Sequence, residues 1–348
     1  MSPCESSKKY SYGLDIIRIV AMFFVICVHA TTFYGFNEQG IYSPIAFLVG
    51  MFRFISYSCV PLFLLLTGYL NCRKAPCLNY YLKIVRVFVE FFICGIAVYL
   101  FNKLYLGSTM GFMDFALKML NFTFPSYSWY MAMFVGLFAL APFFNYIVNA
   151  IPSNYKIVFV VVLLLLFSNP NITGWWISAY PIMYYFFGAF IRDCKIKVKP
   201  VWLTFAILLC SAIQVLAFMY PVIPRYSTSN YMNFGCVIIS VSIFLLFKDM
   251  TTVSGNSAWV KIIRTIANAS FSTFLISEIF ESLTVEYFDT LGLNLFSERL
   301  PYLLYLTPVK FLVSLACGIA INLIVKYAFK AGAYLICKMK KQPGSNDA

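Results

Sequence analysis

The sequence predicts an all-α, polytopic membrane bundle of about ten transmembrane helices, with the N- and C-termini both cytoplasmic. Three observations predict it: the composition, the length of the apolar runs and the placement of the basic residues. Of 348 residues, 61% are hydrophobic and 11% charged, with 37 Phe, 25 Tyr and a mean hydropathy of +0.82. A soluble domain of ordinary composition carries about 25% charged residues, so that class is excluded. The apolar runs exceed the length of barrel strands and do not alternate with period two, which excludes a membrane β-barrel.

Taken in order, the apolar runs place spans at 13–34, 43–70, 84–106, 129–148, 155–168, 174–191, 200–222, 231–247, 267–285 and 301–326. The first is long enough to cross a bilayer, where the core of a cleavable signal peptide is about 7–15 residues, so no such peptide is expected. The fifth is short. Between the third and fourth, Thr109 to Phe122 sets Phe112, Phe115, Ala116, Met119 and Leu120 at helical spacing, as expected of a helix lying on the outer surface. A single domain over 1–348 is expected, with the bundle at about 13–335 and short cytoplasmic tails.

Cytoplasmic loops should be the basic ones. With the N-terminus inside, 19 of the 26 Lys and Arg fall on the inner side, among them Lys8, Lys9, Arg73, Lys74, Lys83, Arg86, Lys156, Arg192, Lys195, Lys248 and Lys341. Only four, Lys103, Lys118, Arg225 and Arg299, fall outside, and Arg18, Arg53 and Lys310 lie within spans. The net charge of +13 is thus a topology signal, and no nucleic-acid partner is needed to explain it. The partner that it does imply is the lipid bilayer, whose anionic inner leaflet attracts such loops. None of the eleven cysteines falls in an outer loop; Cys4, Cys72, Cys77, Cys194 and Cys337 are inner and the rest lie within spans, so no disulfide framework is expected. With a single histidine in the chain, no metal site is expected either. The sequons at Asn121, Asn171 and Asn268 are short enough to arise by chance.

The one histidine, His29, shares the first span with Arg18. They are eleven positions apart, which turns a helix about 20° past three full turns and places both side chains on one face, about 16.5 Å apart along the axis. A polar stripe on a membrane helix points to function, because each charge there must be paired or face water. Asp15, Arg53, Glu90, Glu278, Glu281 and Lys310 are the other charges in or near the spans. Ion pairs between helices, such as Arg18 with Glu90 and Lys310 with Glu281, would account for some of them.

The segment GLDIIRIVAMFFVICVHA (13–30) resembles the first helix of the acyltransferase 3 family, whose signature is an Arg, ten residues and a His. The resemblance continues in order through VPLFLLLTGYL (60–70), YLKIVRVF (81–88), SWYMAMFVGLFALAPFF (128–144), YYFFGAF (184–190) and SFSTFLIS (270–277). It makes Arg18 and His29 the family pair and puts Lys83 and Arg86 where the family usually has Arg-x-x-Arg. Two positions depart from the pattern. Lys83 replaces an Arg, and Ser277 stands where many members have a histidine, leaving His29 without a histidine partner.

The resemblance implies an integral membrane O-acyltransferase that moves an acyl group, commonly acetyl, from cytoplasmic acetyl-CoA to a hydroxyl of a cell-surface or envelope polysaccharide, or of another acceptor. It implies no bound cofactor, acetyl-CoA being a co-substrate, and a multi-pass protein of the bacterial cytoplasmic membrane. Arg18, Lys83 and Arg86 lie toward the cytoplasmic side, where they would bind the CoA phosphates. His29 would be the catalytic base or the acyl-accepting nucleophile. Trp129 and Glu278, toward the outer side, would hold the acceptor. A proton- or anion-coupled transporter would use the same charges, although no internal repeat is visible in the chain. Within the enzyme class, a lipid-linked sugar or a small hydroxyl compound is the other acceptor to weigh.

Overall fold

The structure is a computed structural model that describes residues 10–33, 35–36, 43–168, 179–194, 196–220, 231–252 and 257–340. Cys4, Lys8, Lys9, Asn171, Lys195, Arg225, Lys341 and the start of the predicted span 174–191 lie outside the described residues. The helices are α1 (Gly13–Phe33), α2 (Pro44–Ser56), α3 (Cys59–Asn71), α4 (Leu78–Tyr81), α5 (Lys83–Leu104), α6 (Phe112–Leu120), α7 (Trp129–Ala150), α8 (Lys156–Ser168), α9 (Tyr180–Cys194), α10 (Pro200–Met219), α11 (Phe234–Phe247), α12 (Ala258–Asn268), α13 (Ser270–Thr290) and α14 (Phe296–Lys340). A 3-10 turn at Ser126–Ser128 leads into α7.

A helix lies within each of the ten predicted spans, and among the described residues six segments are long and apolar enough to cross a membrane: Gly13–Phe33, Pro44–Asn71, Leu78–Leu104, Ser126–Ala150, Pro200–Met219 and Phe296–Gly332. Helices α8, α9 and α11 have 13, 15 and 14 residues. At 1.5 Å per residue they reach about 20–23 Å, short of the roughly 30 Å hydrocarbon core. Helix α13 has 21 residues, but Glu278, Glu281, Glu286 and Asp289 interrupt its apolar character. The second predicted span is interrupted between α2 and α3 at Tyr57 and Ser58, and at its far end Ser43 caps the start of α2 by accepting from the Ala46 amide at 3.1 Å. The predicted surface helix forms as α6, with Phe115 and Met119 buried while Phe112 and Leu120 stay exposed.

The core is built where backbones can meet. Helices α3 and α9 pack through Gly68 and Gly188: a Cβ at Gly68 would strike the Tyr185 carbonyl, and one at Gly188 the Leu65 carbonyl. Small residues are what let membrane helices approach this closely. Around that contact lie Leu62, Leu65, Tyr184, Tyr185 and Ala189, all fully buried.

Polar ties collect at one end of the bundle, which also carries much of the basic charge. A two-residue strand, β1 (Tyr10–Ser11), pairs antiparallel with β2 (Thr251–Thr252), and the Gly13 amide donates to the Met250 carbonyl at 3.1 Å. Asn145 donates to the Asn71 and Lys74 carbonyls, both at 2.7 Å, and Tyr185 donates to Asn145 Oδ1 at 2.6 Å. Lys156 and Asp193 form an ion pair at 3.0 Å, and Arg192 donates to the Tyr69 carbonyl at 2.7 Å. At the opposite end, Arg299 donates to the Phe33 carbonyl at 3.3 Å.

Candidate active site

Helix α1 is continuous from Gly13 to Phe33, so Arg18 and His29 do share one helix. Each lines its own cavity. Arg18 borders a chamber of about 220 Å³ with Thr67, Asn71, Val87 and Ser270. His29 borders a chamber of about 20 Å³ with Val25, Val28, Cys59, Val60, Trp129 and Tyr231. Phe63, Tyr130 and Phe274 line both chambers and form a collar between them. Tyr130 packs against Phe63 at 6.0 Å and edge-on to Phe274 at 5.8 Å between ring centroids.

The imidazole of His29 is held by stacking. Its ring lies 4.1 Å from that of Tyr127 at 28°, and Tyr127 in turn stacks on Phe274 at 5.5 Å. Among the described residues, no protein group takes a hydrogen bond from His29 or gives it one, so both ring nitrogens are available to a substrate. Ser277 offers no substitute for the missing family histidine, because its hydroxyl donates to the Phe274 carbonyl of its own helix at 2.7 Å.

Arg18 does not pair with Glu90 as expected. Its Nη1 donates to Asp15 Oδ1 at 2.7 Å, one turn back on α1. Glu90 instead accepts from Arg86 Nε at 3.0 Å, from Ser272 Oγ at 3.1 Å and from Asn322 Nδ2 at 3.3 Å. In both cases a neighbour three or four residues away on the same helix takes the charge, since such side chains sit side by side without any help from packing. Arg86 therefore has a structural task, holding the Glu90 carboxylate that ties α5 to α13 and α14, although its side chain is 44% exposed. Lys83 is exposed at the start of α5, one turn before Val87 of the larger chamber and on the same helix face.

The expected pair of Lys310 and Glu281 does form, buried, at 2.6 Å. Arg53 is fully buried and donates to Thr31 Oγ1 (2.5 Å), Thr32 Oγ1 (3.1 Å) and Tyr57 Oη (3.2 Å), with Phe36 beneath the guanidinium at 4.9 Å. It thereby fixes the end of α1 that carries His29.

Trp129 stands in the wall of the His29 chamber, 39% exposed and stacked near Tyr231 at 6.1 Å. Glu278 lines neither chamber; it accepts from Ser126 Oγ at 3.2 Å, in the turn that carries Tyr127. Tyr127, Tyr130, Tyr231, Phe274, Phe63 and Cys59 join the site without having been singled out from sequence. Tyr130, Phe63 and Phe274 do fall inside the family-like blocks, which was the available signal. Among the described residues no cluster of three His, Cys, Asp or Glu could hold a metal ion.

Comparison with known proteins adds one finding. A family model described as an acyltransferase domain, of the acyltransferase 3 type, matches residues 11–327. No curated protein and no solved structure matches the chain.

Proposed function

The chain belongs to the acyltransferase 3 family, and from that membership we propose that it is an integral membrane O-acyltransferase that moves acetyl from cytoplasmic acetyl-CoA to a hydroxyl of a cell-surface or envelope polysaccharide. The protein would sit in the bacterial cytoplasmic membrane with ten spans and both termini inside. The observation that supports the reading best is the pair of chambers along α1, one at Arg18 and one at His29, which share Phe63, Tyr130 and Phe274 in their walls.

The donor approaches from the basic end. Lys83, Arg86 and Arg18 bind its phosphates, Arg18 with the planar fork that suits phosphate oxygens. The flexible arm occupies the larger chamber and carries the thioester past Phe63, Tyr130 and Phe274 to His29. The acceptor comes from the other side, its sugar ring resting on Trp129 and Tyr231. His29 takes the proton of the attacking hydroxyl as the oxygen forms its bond to the thioester carbonyl carbon. The carbon–sulfur bond then breaks, and the proton passes to the departing CoA thiolate. A positioned base of this kind contributes about 10²–10⁴-fold. The stack on Tyr127 fixes the ring in place of the hydrogen-bonded partner that commonly orients a catalytic histidine.

Sealed right-side-out vesicles test the arrangement. Radiolabelled acetyl-CoA should support transfer to the outer glycan only when loaded inside. Equal transfer from externally added acetyl-CoA in intact vesicles would mean that both substrates meet on one face. Absence of any acyl transfer, together with substrate uptake driven by an ion gradient, would instead favour a transporter.

A further inference from the structure

A third space, of about 390 Å³, lies outside both chambers. Its floor is formed by Cys27 and Thr31 of α1, each two positions from His29 and so turned about 160° from it around the helix. Leu48 and Phe52 of α2 make one wall, and Leu304 and Thr307 of α14 the other. Helices α2 and α14 both pack on α1, but among the described residues they scarcely approach each other, which leaves a slot between them. Phe23 closes one end of the slot, edge-on to Phe311 at 5.2 Å between ring centroids. At the other end Arg299, one turn before Leu303, donates to the Phe33 carbonyl.

All three helices belong to segments long and apolar enough to cross a membrane, so the slot faces hydrocarbon and not water. Its lips are apolar and open: Leu48 is 64% exposed and Leu304 74%. From Phe23 to Thr31 the floor runs eight positions, about 12 Å, which suits an extended chain lying along it. One wall group asks for more than hydrocarbon. Thr307 is 4% exposed, and among the described residues its hydroxyl has no hydrogen-bond partner. A buried hydroxyl left unpaired is costly, and an ester oxygen in the slot would satisfy it. At the rim, the Arg299 guanidinium is the kind of group that binds phosphate. An apolar chain, an ester and a phosphate together describe a phospholipid.

We propose that the slot between α2 and α14 binds one membrane phospholipid, with an acyl chain along Cys27 and Thr31, an ester carbonyl on Thr307 and the phosphate beside Arg299. Thr31 also accepts from Arg53, so the lipid lies against the turn of α1 that follows His29. The site is separate from both chambers and does not depend on the reaction proposed for them.

The experiment uses the full chain, delipidated in detergent micelles, with a limiting amount of phosphatidylglycerol that carries a diazirine in one acyl chain. After irradiation, mass spectrometry of peptides locates the label. It should concentrate on residues 45–52 and 303–308, well above the equally exposed apolar surface of α10 at Trp202 and Phe205. Unlabelled phosphatidylglycerol should compete it away. Val49→Trp, which fills the slot, should abolish the labelling, and Thr307→Val, which keeps the shape and loses one hydrogen bond, should weaken it by about 2–10-fold. Equal labelling of α10 means that lipid coats the whole surface alike and overturns the inference. Unchanged labelling in either well-expressed variant overturns it as well. So does displacement by a polyprenyl phosphate but not by phosphatidylglycerol, which would make the occupant a carrier lipid, and so does a dimer that buries the slot and excludes the label.

Discussion

The guanidinium of Arg53 and the hydroxyl of Thr31, 2.5 Å apart, fasten α2 to α1 two residues beyond His29. Arg53 also reaches Thr32 and the Val28 carbonyl, so the last turns of α1 are held from one side by a single buried side chain. A charge at that depth is costly, and its hydrogen bonds and the Phe36 ring are what offset the cost.

Arg53→Ala should therefore destabilise the protein by about 1.5–3 kcal/mol, the usual worth of a hydrogen bond to a charged group. Its thermal midpoint in detergent should fall, and transfer activity should fall with it, because the His29 turn is no longer fixed. A midpoint equal to that of the wild type would show that the Thr31 end of α1 is held by other contacts.

His29→Ala and His29→Gln should both reduce acyl transfer by about 10²–10⁴-fold while the protein still accumulates in the membrane. The glutamine variant keeps much of the bulk against Tyr127, which separates loss of chemistry from loss of packing. Near-normal transfer in either variant removes His29 from the reaction.

Arg18→Lys preserves the charge and loses the fork, so the KM for acetyl-CoA should rise by about 10-fold, with Arg18→Ala worse. The bond to Asp15 uses only Nη1 among the described residues, which leaves the rest of the guanidinium for the donor. An unchanged KM in both variants would make Arg18 a helix-end residue paired with Asp15 and nothing more.

Glu281→Gln or Lys310→Met alone should cost about 3–5 kcal/mol, since each strands a buried charge. The double change Glu281→Leu with Lys310→Met should recover most of that loss, because a well-packed apolar pair can replace a buried ion pair. Thermal unfolding of the three variants in detergent measures it. A double variant as unstable as the worse single would mean that the pair serves further polar neighbours.

Sequence pattern was most informative where one helix decides everything. The first span, its limits and the common face of Arg18 and His29 follow from apolar run length and helix pitch, and α1 matches them within a residue. Ion-pair partners were less legible. Arg18 found Asp15 and Glu90 found Arg86 on their own helices, whereas Lys310 and Glu281 met across two. Spacing along the chain ranks the first kind of contact and carries no information about the second. The aromatic shell was the least visible part. In a chain with 37 Phe and 25 Tyr, helical spacing alone cannot separate Tyr127 and Tyr231 from rings that merely fill the core. Span count was less legible for a related reason: an apolar run such as 155–168 shows an apolar helix without fixing whether it crosses, and α8 is only 13 residues long.

The collar of Phe63, Tyr130 and Phe274 bears on the energy economy of the cell that carries this protein. Any passage that serves a donor on one side of a membrane and an acceptor on the other endangers the ion gradient between them. Three aromatic faces between the two chambers make a poor environment for a hydrated ion, because a ring face replaces little of its lost water. A neutral thioester and its short acyl group suffer no such penalty. In the proposed transfer, the rings that would guide the acyl group would also act as electrical insulation, and the membrane would stay polarised during the modification.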